Sequence, residues 1–100
     1  MACEIILSPE ALDHLAALTA LQRRIVLDAV ETHLMHQSTT STRRRKPLRP
    51  NPLGSWELQV GQFRVYWQVE SIDGEDTIHT IAVGRKVRSR VIIAGVEVGL

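Results

Sequence analysis

Apolar and polar residues follow two different periods along this chain, and the change of period separates a helical part from a strand part. A short β-favouring run, CEIILS, ends at Ser8-Pro9, where Ser is a favoured N-cap and Pro fits the first helical position. Leucines then recur three residues apart, at Leu12, Leu15 and Leu18. The pattern predicts an N-terminal strand followed by a helix from about Pro9 to Leu18.

A second helix is predicted immediately afterwards. Thr19 and Gln22 have the spacing of a capping box, in which each side chain bonds the backbone N–H of the other residue. Near-helical spacing continues through Leu21, Ile25, Ala29, Val30 and Leu34. Two helices in tandem predict a helical hairpin.

The segment 38–55 reads STTSTRRRKPLRPNPLGS and has a different composition. Its three prolines, its glycine and its hydroxyl residues predict a loop without regular structure. We call it the basic loop, since it contains Arg43, Arg44, Arg45, Lys46 and Arg49. Loops longer than about 12 residues within a compact domain are usually functional or disordered.

Beyond the basic loop the apolar period is two, as in strands. WELQV and FRVYWQV each alternate, and Gly61-Gln62 between them fits a type II′ hairpin turn. That turn pairs Trp56 with Trp67 on the core face. A third strand is predicted from Thr77 to Gly84, while the closing segment VIIAGVEVGL suits either a strand or a short helix.

Arg64 is the unexpected residue, because it lies in the middle of an apolar strand. A guanidinium is almost never fully buried without a partner. The hairpin register places Arg64 opposite Gln59, and Glu57 opposite Tyr66, on the face away from the core. The sequence therefore predicts a polar second face.

The order of these elements predicts an α+β fold. It consists of an N-terminal strand, a two-helix hairpin and a three-stranded antiparallel meander, which form one sheet packed on the helices. A chain of 100 residues, 44% of them apolar, suffices for one core, so a single domain over residues 1–100 is expected.

Charge and cysteine content narrow the function. The formal net charge is only +1, yet no acidic residue occurs between Thr32 and Trp56. The basic loop is therefore either a site for a polyanion or simply a solvated loop. The single cysteine, Cys3, excludes an intrachain disulfide and suggests a reducing compartment.

The chain also lacks the patterns of several other classes. No segment approaches the roughly 20 apolar residues that span a bilayer, and no signal-peptide pattern begins the chain, so a cytoplasmic protein without membrane contact is expected. The four histidines are scattered and show no metal-ligand spacing. We expect neither a metal nor a cofactor.

Three stretches together resemble a known family. KPL, WELQVGQFRVYWQV and IAVGRKVRS, in this order, are similar to the RelE/ParE superfamily of bacterial toxins from type II toxin–antitoxin systems. The resemblance covers essentially the whole chain. It implies a cognate antitoxin in a hetero-oligomer and, for the RelE branch, a ribosome-dependent endoribonuclease that cleaves mRNA.

The resemblance also implies site residues. The arginine that contacts the scissile phosphate matches Arg64, and a second functional cation falls at Lys86, between Arg85 and Arg88. A basic residue of the loop matches Lys46. Departures accompany these matches: Glu57 and Gln59 replace two lysines, and Ile92 replaces a tyrosine near the C-terminus.

Cleavage by a 2′-hydroxyl needs a base, an acid and cations at the charged phosphorane. Arg64, Lys86 and Arg88 can supply the cations. Glu57 is the candidate base, because it is the carboxylate on the second face, although an ordinary cross-strand ion pair would explain it equally well. His79 is the alternative acid or base, because it shares that face if Ile78 and Ala82 face the core.

Two functions follow from these residues. In the first, the chain is an mRNA interferase whose catalytic set consists of Arg64, Lys86, Glu57 and His79. Phosphates of the ribosome or of RNA are then bound by a second set of cations, namely Arg43, Arg44, Arg45, Lys46, Arg49, Arg85 and Arg88. In the second, the chain is a non-enzymatic inhibitor of DNA gyrase of the ParE kind, or a catalytically weak RelE relative. The missing lysines and tyrosine favour the second function, whereas the VGRKVRS stretch and the basic loop favour the first, which is the preferred interpretation.

Overall fold

The computed structural model describes residues 4–34, 45–48 and 54–98. These residues form two helices and seven strands: β1 (Glu4–Leu7), α1 (Pro9–Ala16), α2 (Ala20–Leu34), β2 (Arg45–Pro47), β3 (Trp56–Val60), β4 (Phe63–Ile72), β5 (Glu75–Val87), β6 (Arg90–Ile93) and β7 (Val96–Val98). The predicted α+β fold, the N-terminal strand and both helices are confirmed. The predicted three-stranded meander corresponds to β3, β4 and β5 but is only part of the sheet.

The prediction of a loop without regular structure over 38–55 is wrong at Arg45–Pro47. These residues form β2, which pairs antiparallel with β3 so that Lys46 lies opposite Glu57. Proline is tolerated in β2 because the strand is at an edge of the sheet, where a missing N–H removes no ladder bond. Most other residues of the basic loop lie outside the described ranges.

The closing segment forms strands rather than a helix. Two-residue turns join β5 to β6 and β6 to β7, and the second of these is Ala94-Gly95, with φ of 52° and 79°. Positive φ at both turn residues matches the right-handed twist of a hairpin. The basic residues predicted to follow the third strand therefore lie within it and in its turn.

The seven strands form one sheet in the order β2-β3-β4-β5-β6-β7, with β1 outside this path. The long β5 pairs with all of β4 along one edge. Along its other edge it pairs first with β1, in parallel, from Thr77 to Thr80, and later with β6, from Arg85 to Val87. All other pairings are antiparallel.

Both helix starts follow the predicted chemistry. Ser8 Oγ accepts a hydrogen bond of 3.0 Å from the Ala11 N–H at the start of α1. The capping box of α2 is complete, since Gln22 N donates to Thr19 Oγ1 at 3.1 Å and Thr19 N donates to Gln22 Oε1 at 3.0 Å.

The core lies between the helices and one face of the sheet. The helices contribute Leu15, Val26 and Val30, and the sheet contributes Leu58, Val60, Phe63, Val65, Trp67, Ile78 and Val83. Part of the predicted helix stripe is wrong, because Leu12, Leu21 and Ile25 are 52%, 68% and 47% exposed. The reason is that α1 packs on β5 and α2 on β3 and β4, which turns Ala11 and Val26 inward instead. None of the described helices is long and apolar enough to cross a membrane.

Candidate functional site

The face of the sheet away from the helices carries a second apolar cluster rather than an open polar surface. Tyr66, Ala82, Val91 and Ile93 form its buried part. The last two come from β6, which the sequence did not assign as a strand. Ile93 Cγ1 lies only 2.6 Å from where a Cβ on Gly84 would be, so β6 can pack here only because residue 84 is glycine.

Arg64 lies at the border of this second cluster and is nearly buried, with 8% of its surface exposed. Its Nη1 donates to the carbonyl oxygens of Gly61 at 2.7 Å and Phe63 at 2.9 Å. Its Nε lies 3.9 Å from Glu57 Oε1. The β3–β4 turn and one carboxylate are therefore the partners that a buried guanidinium requires.

Glu57 is buried between two cations. Its Oε1 lies 3.6 Å from Lys46 Nζ in β2 and 3.9 Å from Arg64 Nε in β4. The strand register produces this arrangement, since Lys46 is opposite Glu57 and Glu57 is opposite Tyr66. We call Lys46, Glu57, Arg64 and Tyr66 the Glu57 cluster.

Tyr66 is fully buried, and its hydroxyl makes no hydrogen bond of regular geometry with the described residues, although the Glu57 carboxylate is near enough to act as an acceptor. Burial raises the pKa of Tyr66 well above its ordinary value, the nearby Glu57 carboxylate raises it further, and Arg64 opposes the change. The hydroxyl therefore stays protonated. The sequence shows Tyr66 on the face of Glu57 but gives no sign that β6 would bury it.

His79 shares the face of the Glu57 cluster but is held elsewhere. It pairs with Gln68, and its Nε2 lies 3.1 Å from Glu70 Oε2. The predicted placement of His79 on this face required both Ile78 and Ala82 to face the core. That assumption fails for Ala82, because the register of β4 and β5 shifts between Tyr66 and Trp67.

The predicted basic residues of β5 separate onto two faces. Lys86 lies opposite Val91, a member of the second cluster, whereas Arg85 lies opposite Phe63 and thus on the helix side. Arg88 is in the β5–β6 turn with φ of 59°, an unfavourable value for a residue with a side chain. All three are exposed and have no acidic partner in the described part of the chain.

The remaining predicted phosphate contacts fall outside what the structure describes. Arg43, Arg44 and Arg49 lie outside the described residues, and only the backbone of Arg45 is described. Within residues 4–34, 45–48 and 54–98, no group of three or more His, Cys, Asp and Glu side chains could hold a metal ion.

The chain shares its fold with two solved toxin structures. The crystal structure of the toxin–antitoxin complex RelBE2 from Mycobacterium tuberculosis superposes with a TM-score of 0.68 and 18% identity, over 86% of this chain and 100% of the other. The YoeB/ParE toxin from Agrobacterium tumefaciens superposes with a TM-score of 0.65 and 13% identity, over 84% and 99%. No family model and no curated protein matches the sequence. The predicted resemblance to the RelE/ParE superfamily is thus confirmed at the level of the fold.

Proposed function

We propose that this chain is the toxin of a type II toxin–antitoxin pair and that it acts in the cytoplasm on mRNA bound to the ribosome. The observation that carries the proposal is the distribution of charge on the face of the Glu57 cluster. The buried Glu57–Arg64 pair is bordered on this face by the exposed cation Lys46, and further positive charge is supplied by Lys86 of β5 and Arg88 of the β5–β6 turn. Exposed cations around a fixed carboxylate suit a phosphodiester backbone.

The proposed reaction is attack of an RNA 2′-hydroxyl on the adjacent phosphate. Glu57 would take the 2′ proton, Arg64 and Lys86 would stabilise the extra negative charge of the phosphorane, and His79 would protonate the leaving 5′-oxygen. Lys86 and His79 are the accessible members of this set. Glu57 and Arg64 are buried, with 7% and 8% of their surface exposed.

A second candidate is favoured by that enclosure. Glu57 already has two cationic partners, and Arg64 already bonds two backbone carbonyls. A chain whose base and principal cation are already engaged could inhibit DNA gyrase by binding alone, as a ParE-like toxin.

One pair of assays separates the two candidates. Purified chain is added to ribosomes programmed with a defined mRNA, and in parallel to gyrase with relaxed plasmid. Cut message without loss of supercoiling supports the interferase, and we expect Lys86→Gln to slow cutting by about tenfold or more. Arg24→Gln is the matched control, since Arg24 is exposed on α2 and, within the described part of the chain, forms an ion pair with Asp28 alone. Intact message together with inhibited gyrase would reverse the assignment.

The proposal includes a cognate antitoxin that forms a hetero-oligomer with this chain. The exposed Leu12, Leu21 and Ile25 on the helices, and Val96 on β7, offer apolar surface for such a partner. Co-expression with the adjacent reading frame tests this. A stable complex that relieves growth arrest supports the pair, whereas a chain that is harmless and monomeric on its own argues against it.

A further inference from the structure

A small cavity lies where the free edge of β5 passes from β1 to β6. Pairing with β1 stops at Thr80, and pairing with β6 begins at Arg85. Within this gap the backbone of β5 bonds a side chain of α1 instead of a neighbouring strand, since Val83 N donates to His14 Nδ1 at 3.2 Å. The adjoining cavity has a volume of about 230 Å³.

His14 lines the cavity, and its bond with Val83 uses only one of its two ring nitrogens. Because Nδ1 accepts the bond from Val83, the ring is neutral and carries its proton on Nε2. A neutral imidazole has one donor and one acceptor, so Nε2–H is the group left for a ligand.

The other lining groups combine one cation, one acid and an apolar wall. Arg85 is exposed and has no ion-pair partner among the described residues, and Asp13 is the acidic residue of the lining. Leu18 and Ile92 supply apolar surface. A guanidinium and an N–H donor beside such a wall fit a carboxylate attached to a short aliphatic chain.

We infer that this cavity binds a small aliphatic carboxylate. The carboxylate bonds Arg85 and His14 Nε2–H, while the aliphatic part packs on Leu18 and Ile92. The volume limits the ligand, because pockets for drug-sized molecules are about 300–1,000 Å³. The carboxylate belongs either to a free short-chain acid or to a glutamate side chain of a peptide. The inference does not rest on RNA cleavage.

Nuclear magnetic resonance of the purified full-length chain tests the site with three probes. Butyrate is the free acid, blocked glutamate (the N-acetyl, methylamide derivative) represents a peptide side chain, and butyramide is the neutral isostere of butyrate. We expect butyrate or blocked glutamate to shift the His14 Nε2 and Val83 amide signals, and the tighter of the two identifies the source. Butyramide should leave both signals unchanged.

Three variants test the cavity: two change its charge in opposite directions, and one reduces its volume. Arg85→Gln should weaken binding of the acid by about fivefold, in line with one exposed ion pair. Asp13→Asn should strengthen binding by about twofold, because it removes a like charge. Ala17→Leu keeps the charge but fills the cavity beside α1 and should abolish binding.

Arg24→Gln serves as the control of equal charge change outside the cavity and should leave affinity unchanged. Equal shifts with butyramide, no shift with either acid, or unchanged affinity in Arg85→Gln would overturn the inference.

Discussion

Tyr66 buries a hydroxyl that makes no hydrogen bond of regular geometry with the described residues. An unsatisfied buried donor costs about 1–3 kcal/mol. We therefore predict that Tyr66→Phe raises the free energy of unfolding by about 1 kcal/mol, measured by urea denaturation. Thr80→Val is the matched comparison, since Thr80 Oγ1 is also buried without a partner. A loss of stability in Tyr66→Phe would instead mean that the hydroxyl is bonded, with Glu57 as the nearby acceptor.

The same tyrosine makes stability depend on alkaline pH. In the unfolded chain a tyrosine loses its proton near pH 10. In the folded chain burial raises the pKa of Tyr66, so the proton is kept. The contribution of Tyr66 to the free energy of unfolding is therefore fully present below about pH 10. Above that pH it falls by up to about 1.4 kcal/mol per pH unit.

Tyr66→Phe should remove this part of the alkaline loss. Because Tyr66 is the chain's single tyrosine, tyrosinate absorbance reports it alone and should rise only with unfolding. Tyrosinate formation near pH 10 in the folded protein would contradict the prediction.

Arg64 has a larger structural role than a surface cation would have. Removing one partner from a buried ion pair costs about 3–5 kcal/mol, and the Arg64 guanidinium also donates to the carbonyls of Gly61 in the β3–β4 turn and Phe63 at the start of β4. Arg64→Ala should lower the free energy of unfolding by about 3 kcal/mol. Arg64→Lys should recover less than half, since an ammonium cannot reach both carbonyls and Glu57.

The control for Arg64 is Arg90→Ala, which breaks the exposed pair with Glu97 and should cost about 0.5 kcal/mol. Chemical denaturation of the four proteins gives the comparison. Equal costs for Arg64→Ala and Arg90→Ala would show that the buried pair contributes nothing, and loss of toxicity in Arg64→Ala can be assigned to chemistry only at temperatures where this variant remains folded.

At the scale of elements, the turn between β6 and β7 is strained. Ala94 has φ of 52°, a left-handed conformation that costs a residue with a side chain about 1–2 kcal/mol and that Asn tolerates better. Ala94→Asn creates the Asn-Gly pair preferred in such turns and should raise the midpoint of thermal unfolding, equivalent to about 0.5–1 kcal/mol. Ala17→Asn, an equal change at a right-handed position, should give no gain.

The elements also show which features a sequence can predict. The N-cap at Ser8, the capping box at Thr19 and the turn at Gly61-Gln62 involve neighbouring residues, and all three were predicted correctly. The faces of the helices were predicted less well, because the spacing of leucines does not reveal which side the sheet will cover.

Contacts between segments that are distant along the chain could not be predicted from the sequence. β2 exists only through pairing with β3, and the second apolar cluster forms only because β6 returns beside β5. The sequence correctly placed Glu57 and Arg64 on the face of the sheet away from the core, but it did not predict that both would be buried. The gap occupied by His14 depends on where β1 ends.

At the scale of the whole molecule, the sequence predicts a further contact with RNA or the ribosome through the basic loop, most of which lies outside the described residues. We predict that Arg43, Arg44 and Arg45 changed together to Gln reduce the salt dependence of RNA or ribosome binding. Each lost contact with a single-stranded phosphate lowers the slope of log affinity against log salt by about 0.7, so three contacts lower it by about 2. If the slope equals that of Arg24→Gln, the three arginines make no phosphate contact and are simply solvated.

Because β1 pairs with β5, which lies much later in the sequence, the sheet can form in full only after β5 has been synthesised. Ser8 donates to the Ile81 carbonyl across 73 positions of sequence. At ordinary translation rates of about 5–20 residues per second, the first strand precedes its partner by roughly 4–15 s. Throughout that interval β1 has an unpaired edge able to join strands of other chains, and a chain whose synthesis stops before Thr77 keeps that edge.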